Sequence, residues 1–234
     1  MQQRATLPLA GNETAGSAYV RTPMQRAYGE LKRRILTCGL PPGAPLNERC
    51  LVKELCVAPA VFHKVCNRLA QEELVRPQKS KTFVVAHFTL ADIRELCELR
   101  RIVEGRSAAL AAERSGPSQV ARLLAVAELR YEPGERHTYG SYLRTNTAFH
   151  RQLALAAQNP RLEAAVTSVI GHIQRPLYLG LDCGLDPEEA TAEHLMIVDA
   201  VRRRRPSLAA QLMESQIRAA EKRMIEAFGD SGFA

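Results

Sequence analysis

Five polar residues interrupt stretches of the chain whose apolar residues repeat with helical spacing. They are Arg100, Asn146, His150, His194 and Gln216. Asn146 and His150 are one helical turn apart, so their side chains leave the same face of a helix. Buried polar groups need hydrogen-bond partners, and a single inward histidine is more often a satisfied core residue than a ligand. Five such positions on several helices instead predict a shared polar pocket that binds a polar ligand.

The segment that carries these residues is expected to be helical throughout. Residues 89–229 show no strand-like alternation, and Pro-containing breaks such as Asn159-Pro160 separate long amphipathic stretches. Gly116-Pro117 is expected to end one helix, with Ser118 as the cap of the next. The pattern predicts an antiparallel helical bundle.

The first third of the chain shows a different order of elements. Apolar periodicity predicts three helices and two short strands around a polar loop; the helices span residues 27–37, 48–55 and 59–73, and the strands span residues 74–76 and 82–85. This is the order of a winged helix-turn-helix, whose third helix enters the major groove of DNA. We therefore expect a flexible tail over residues 1–22, a DNA-binding domain over residues 23–88 and a helical domain over residues 89–229.

The positive charge of the chain is concentrated in the expected DNA-binding domain. The formal net charge of the whole chain is +7. Residues 1–88 contain 13 Lys and Arg against 6 Asp and Glu, whereas residues 89–234 contain 19 of each, so the whole excess lies in the first third. Such asymmetry is the electrostatic footprint of a nucleic-acid-binding module joined to a neutral domain.

Composition and motifs argue against several other classes of protein. There is no uninterrupted run of about 18 apolar residues, so no membrane span is expected. The six cysteines form no Cys-x-x-Cys pair, which argues against a zinc ribbon or disulfide framework and favours reduced thiols in a cytoplasmic protein. No Gly-rich phosphate loop, Gly-x-Ser-x-Gly or His-Glu-x-x-His motif is present, so we do not expect an enzyme.

The stretch RRILTCGLPPGAPLNERCLVKELCVAPAVFHKVCNRLAQEELV resembles the DNA-binding domain of the GntR family of transcription regulators. The matching residues are Gly39, Pro42, Gly43, Leu46, Glu48, Leu51, Leu55, Val57, Arg68, Leu69, Leu74 and Val75. The resemblance implies a winged helix-turn-helix that binds double-stranded operator DNA.

The departures from the GntR pattern fall where family members contact DNA. The family's Ser-Arg-Thr-Pro-Val-Arg is Ala58-Pro59-Ala60-Val61-Phe62-His63 here, so Pro59 and His63 replace arginines. Each lost guanidinium fork removes roughly 1–3 kcal/mol of discrimination if it is made to a base, which predicts an unusual operator or weak binding. The remaining candidates for DNA contact lie on the third helix and the wing; they are His63, Lys64, Asn67, Arg68, Lys79 and Lys81.

The helical part resembles the FCD effector domain of the FadR-like GntR subfamily. The resemblance rests on ELRRIVEG (residues 98–105), NTAFHRQLALAAQNPRL (residues 146–162) and EHLMIVDAV (residues 193–201). It implies that residues 89–229 are an effector-binding and dimerisation domain and that the protein is a homodimer. In many members, a zinc-like divalent metal in this domain helps an arginine to bind a small carboxylate effector. Residue by residue, Asn146, His150 and His194 match metal-ligand positions, and Arg100 matches the arginine.

Gln216 stands where the resemblance implies a third histidine. The resulting ligand set contains no anion, and neutral oxygen donors hold a transition metal less well than a carboxylate or a third imidazole does. The alternative is that Arg100, Asn146, His150, His194 and Gln216 bind a carboxylate or a polar metabolite directly, as the effector-binding residues.

Together these features predict a mostly α protein that acts as a ligand-responsive, DNA-binding transcription regulator. In a dimer, effector binding would bias the spacing of the two DNA-binding domains on two-fold related half-sites. The alternative is a regulator derivative that has weakened or lost sequence-specific DNA binding and acts through protein contacts. Only Pro59 and His63 support that alternative, and a salt-dependent shift of DNA would exclude it.

Overall fold

The computed structural model describes residues 21–79 and 82–230, with side chains up to Phe228. Almost all of the tail predicted over residues 1–22 lies outside the described residues, and so does Lys81 on the predicted wing. The described chain is mostly helical with one small antiparallel sheet, which confirms the predicted fold class. The elements are α1 (Pro23–Leu36), α2 (Glu48–Glu54), α3 (Pro59–Gln71), β1 (Val75–Pro77), β2 (Phe83–Val85), α4 (Leu90–Arg114), α5 (Pro117–Ala125), α6 (Arg136–Ala156), α7 (Pro160–Gly180), α8 (Pro187–Arg202) and α9 (Pro206–Asp230).

The first unit is a three-helix core closed by the β1–β2 ribbon. Its interior is built from apolar residues of all three helices and both strands, among them Leu31, Phe62 and Val85. α1 begins four residues before the predicted Ala27, because Thr22 and Gln25 form a capping box around Pro23. Helix α3 has Pro59 in its first turn, and Ala58 supplies no side-chain cap.

The strands are shifted slightly from their predicted positions. β1 pairs with β2 in the register Val75↔Val85, and Leu74 is excluded from the strand. The reason is the way in which α3 ends. Glu73 adopts a left-handed φ of 57°, and the Leu74 N–H donates to the Leu69 carbonyl oxygen at 2.9 Å. Leu74 therefore finishes the helix rather than starting the ribbon.

The second unit is a bundle of α4 to α9 around one apolar core. The long helices α4 and α9 pack closely, and Gly105 of α4 faces α9 where an added Cβ would lie 3.3 Å from the Glu214 side chain. Thr89 and Asp92 form a capping box at the start of α4. The predicted Ser118 cap is wrong: α5 begins at Pro117, and the Gln119 side chain accepts from the Gly116 N–H at 2.6 Å.

The two units touch through α7 and the linker that follows β2. The Arg175 side chain is buried, donates to the Ala86 carbonyl and lies over the ring of Phe88. Burial lowers the pKa of Arg175, and its Nε has no hydrogen-bond partner among the described residues. A buried cation without a paired carboxylate therefore sits at the junction of the two domains.

Two sequence expectations concern membranes and cysteines. Among the described helices, none is long and apolar enough to cross a membrane. The six cysteines all lie in the described part of the chain, and no disulfide joins any two of them. Burial raises the pKa of Cys38 and Cys97 to about 11 and that of Cys66 to about 12, so these three thiols are not activated nucleophiles.

Candidate effector pocket and nucleic-acid interface

The five predicted pocket residues are all buried inside the helical domain. Arg100 comes from α4, Asn146 and His150 from α6, His194 from α8 and Gln216 from α9. Their exposed fractions run from 0% for His194 to 9% for Gln216. All except His194 line one small cavity, and His194 lies beside it with its ring centroid 5.7 Å from that of His150. The structure thus brings together what periodicity predicted to converge.

Glu104 is the central residue of this cluster, and the sequence analysis missed it. Its Oε1 lies 2.6 Å from Nε of Arg100, and its Oε2 lies 2.5 Å from Nδ1 of His150, although this second contact lacks the angle of a hydrogen bond. Burial alone would raise the pKa of Glu104, but the neighbouring Arg100 and His150 outweigh it and lower that pKa to about 2. The guanidinium expected to meet an effector carboxylate is therefore already paired with an internal one.

The hydrogen bonds of His194 determine its tautomer. Its Nδ1 lies 3.0 Å from the Ala127 carbonyl oxygen, which can only accept, so Nδ1 carries the proton and Nε2 is a free acceptor. Burial lowers the pKa of His194 to about 3, which keeps the ring neutral. Phe149 stacks on the imidazole at 3.7 Å between centroids and fixes its plane. His194 is thus a neutral, preoriented acceptor.

Several buried polar atoms in this cluster have no partner among the described residues. Nη1 of Arg100 is an unpaired donor, whereas Nε2 of His194 and Oε1 of Gln216 are unpaired acceptors. An unsatisfied buried polar group typically costs about 1–3 kcal/mol. A ligand or ordered water that offers both an acceptor and a donor would relieve these costs together.

The cavity between these residues is small in this conformation. Its volume is about 30 Å³, enough for a water molecule but far below the roughly 300–1,000 Å³ of typical ligand pockets. The cavity is also lined by three further polar side chains that the sequence analysis did not include, namely Tyr142, Glu193 and Arg223. Burial raises the pKa of Glu193, and the amide of Gln216 and the charge of Arg223, which lower that pKa, do not outweigh the effect of burial. A metabolite can enter only if the helices around the cavity separate.

The predicted metal ligands form a chemically weak donor set. Asn146, His150, His194 and Gln216 supply two imidazoles and two amides, all without negative charge. Glu104, the one buried acid of the described residues, is engaged by Arg100 and His150. The described residues contain no group of three or more His, Cys, Asp or Glu that could hold a metal ion. The donors do not fit a tightly bound zinc-like ion.

The predicted DNA-contacting residues divide into free and engaged side chains. Lys64 and Asn67 are exposed on α3, and Lys79 is exposed on the wing. His63 instead lies 3.1 Å from Oε2 of Glu48 and is half-buried. Arg68 covers the ring of Tyr28 at 4.0 Å and approaches Glu72. Arg76 is an exposed wing cation that the sequence analysis did not include.

A winged helix followed by a helical bundle is the architecture of a two-domain transcription regulator. The model of the FCD domain family matches residues 95–219. An uncharacterized HTH-type transcriptional regulator from Streptomyces ambofaciens is 30% identical over 202 residues, covering 85% of this chain and 84% of the relative. This chain therefore belongs to the GntR family of transcription regulators with an FCD domain, a family of regulators and not of enzymes.

Solved structures agree on the fold. McbR/YncC of E. coli superposes with a TM-score of 0.72 at 16% identity and covers 89% of this chain and 100% of its own. A GntR regulator from Rhodococcus sp. RHA1 gives a TM-score of 0.68 at 22% identity, covering 87% of this chain and 97% of its own. At these identities the similarity concerns the fold alone.

Proposed function

We propose that this protein binds operator DNA through α3 and the wing, and that a small polar metabolite in the helical domain changes that binding. The observation that carries the proposal is the buried cluster in which Arg100, His194 and Gln216 each hold an unpaired polar atom. Evolution of a pure core would favour apolar residues at such positions, since unsatisfied buried groups are costly. Their presence on three helices favours a site built for a ligand.

The unpaired atoms also restrict the chemistry of the effector. Nη1 of Arg100 calls for an acceptor such as a carboxylate oxygen, whereas Nε2 of His194 and Oε1 of Gln216 call for hydroxyl or amino donors. We therefore propose a small hydroxy or amino carboxylate that binds directly, without a resident metal. The absence of a resident metal is proposed from the donor set alone, because neutral amide oxygens and two imidazoles hold a transition metal less well than a set with a carboxylate or a third imidazole.

A thermal-shift titration tests the sensing half of the proposal. Purified protein is screened with plain, hydroxy and amino carboxylates, with and without chelator, beside metal analysis of the same sample. We expect stabilisation by a hydroxy or amino acid that survives the chelator and is lost in Gln216→Leu but retained in Arg122→Ala, an exposed arginine on α5. Stoichiometric metal with chelator-sensitive stabilisation would refute direct binding and restore Asn146, His150 and His194 as ligands.

A DNA-binding titration tests the other half. The protein is titrated with DNA from upstream of its own coding region at about 50 and 200 mM salt, where phosphate contacts give a steep loss of affinity. We propose that it binds as a homodimer, so the protected site should contain two-fold related half-sites about one helical turn apart. Absence of specific binding at low salt would favour the alternative of a derivative that acts through protein contacts.

A further inference from the structure

A cleft between the two domains is far larger than the cavity in the bundle. Its volume is about 820 Å³, within the usual range for small-molecule sites. One wall comes from α1 and the turn after it, including Gly29, Lys32 and Leu36. The other wall comes from α6 and α7, including Arg144 and Tyr178.

The charged side chains that line this interdomain cleft are all positive. Four Lys or Arg residues line it and no Asp or Glu does; they are Lys32, Arg33, Arg136 and Arg144. Three of them pair with carboxylates outside the cleft: Lys32 with Glu72 at 2.6 Å, Arg33 with Glu30 at 2.8 Å, and Arg136 with Asp182 at 2.5 Å. Arg144 is exposed and forms no ion pair with the described residues, so it is available to an anion.

A further cation, Arg175 of α7, is buried at the same junction of the two domains. It follows Gln174, which lines the cleft, and its side chain donates to the Ala86 carbonyl and lies over the Phe88 ring. It lacks a carboxylate partner at ion-pair distance among the described residues and is only 5% exposed. A positive field focused between low-dielectric walls concentrates anions.

The lining of the cleft includes apolar side chains, and two of the helical positions that line it are glycines without a side chain. Leu36, Leu143 and the ring of Tyr178 form apolar lining. A Cβ added at Gly29 would meet nothing within 4 Å, and one at Gly140 would meet only Nη1 of Arg144 at 3.7 Å. Neither glycine has a positive φ, so neither backbone strain nor close packing explains glycine at these helical positions, where alanine is more stable. What the two glycines preserve is space.

We propose that the interdomain cleft is a second ligand site, distinct from the cavity in the bundle, and that it binds an organic anion with an aromatic or alkyl body. The carboxylate, sulfonate or phosphate of the ligand pairs with Arg144 and the neighbouring cations, and its body lies on Leu36, Leu143 and Tyr178. Because the two walls belong to different domains, an occupant bridges α1 and α6 and holds the DNA-binding domain in one orientation relative to the bundle.

A fluorescence titration with 1-anilinonaphthalene-8-sulfonate tests this site, because the probe is an aromatic anion that brightens when its rings leave water. The full chain is titrated without DNA. We expect Arg144→Ala to weaken the Kd about tenfold, the loss expected for one charge-assisted hydrogen bond in a partly desolvated site. Gly29→Phe, which fills the cleft, should abolish saturable binding.

Matched variants separate the cleft from other surfaces. Arg122→Ala removes an exposed arginine and Ala125→Phe adds a ring on α5, both away from the cleft, and both should keep the wild-type Kd. Gln216→Leu should also keep it, which separates this site from the proposed effector pocket. Equal Kd values in Arg144→Ala, Gly29→Phe and wild type would overturn the proposal. Loss of binding on Met196→Glu alone would overturn it too, because Met196 is 50% exposed on α8 and offers another apolar surface.

Discussion

Removing the charge of Glu104 should destabilise the helical domain strongly, because it leaves a guanidinium buried without a counterion. The side chains of Arg100 and Glu104 are 3% and 2% exposed, with 2.6 Å between Nε and Oε1. Breaking a buried ion pair from one side typically costs about 3–5 kcal/mol. For a domain of this size each kcal/mol corresponds to roughly 2–4 °C in Tm, so Glu104→Gln should lower Tm by roughly 6–20 °C.

The control for Glu104→Gln is an ion pair of similar length at the surface. Glu128 lies 2.6 Å from Arg130, but the two side chains are 61% and 82% exposed, so Glu128→Gln should change stability by less than about 1 kcal/mol. Urea and thermal unfolding followed by circular dichroism measure both variants. The double variant Arg100→Leu with Glu104→Met should recover most of the loss, because no charge then remains buried.

Two results would refute this reasoning. A Glu104→Gln variant as stable as Glu128→Gln would mean that the Arg100–Glu104 pair is solvated rather than buried. A double variant as unstable as the single one would mean that packing volume, and not the stranded charge, causes the loss.

Three further predictions follow from other parts of the molecule. Lys64→Ala should weaken operator binding similarly for all sequences and reduce the salt slope by about 1, whereas Lys222→Ala on α9, 78% exposed, should not; fluorescence anisotropy at several salt concentrations measures both. The pKa of His194 is lowered from 6.5 to about 3 in the folded chain. Between these two pH values the imidazole is therefore protonated in the unfolded chain and neutral in the folded chain. Stability should therefore fall as pH drops from about 6.5 to 4.5, by up to about 1.4 kcal/mol per pH unit. In chelator-treated protein this slope should be absent from His194→Gln and retained in His137→Gln, and unfolding in urea at each pH checks it. Gly43→Ala should cost more stability than Gly134→Ala, because both have positive φ but a Cβ at Gly43 would lie 2.6 Å from His87, whereas at Gly134 the space is open; equal losses would show that backbone strain alone matters.

Local chemistry made most of the fold predictable from the sequence. The capping box of Thr89 and Asp92 and the proline in the first turn of α3 are decided by residues within one turn. The convergence of Arg100, Asn146 and Gln216 was also predictable, because helical periodicity fixes which face each side chain leaves. These features need no knowledge of how distant segments pack.

Other features depend on packing that no periodicity encodes. Glu104 stands four residues after Arg100, a spacing that places both on one face of α4. An acidic residue on a helix usually points to solvent, so the sequence alone does not indicate that Glu104 belongs to the buried polar cluster. The volume of the bundle cavity depends on how far α6, α7 and α9 approach. The interdomain cleft depends on contacts between α1 and α7, which are remote in sequence.

The two cavities share walls, and this sharing relates their proposed functions. α6 carries Asn146 and His150 toward the small cavity and Arg144 toward the cleft; α7 carries Leu177 toward the cavity and Gln174 toward the cleft. A metabolite can enter the 30 Å³ cavity only when surrounding helices separate, and a shift of α6 or α7 changes the distance to α1. Linkage requires that if an anion in the cleft alters the affinity of the cavity for its metabolite, the metabolite alters the affinity of the cleft by the same factor. The orientation of the DNA-binding domain would then respond to both ligands through the same two helices.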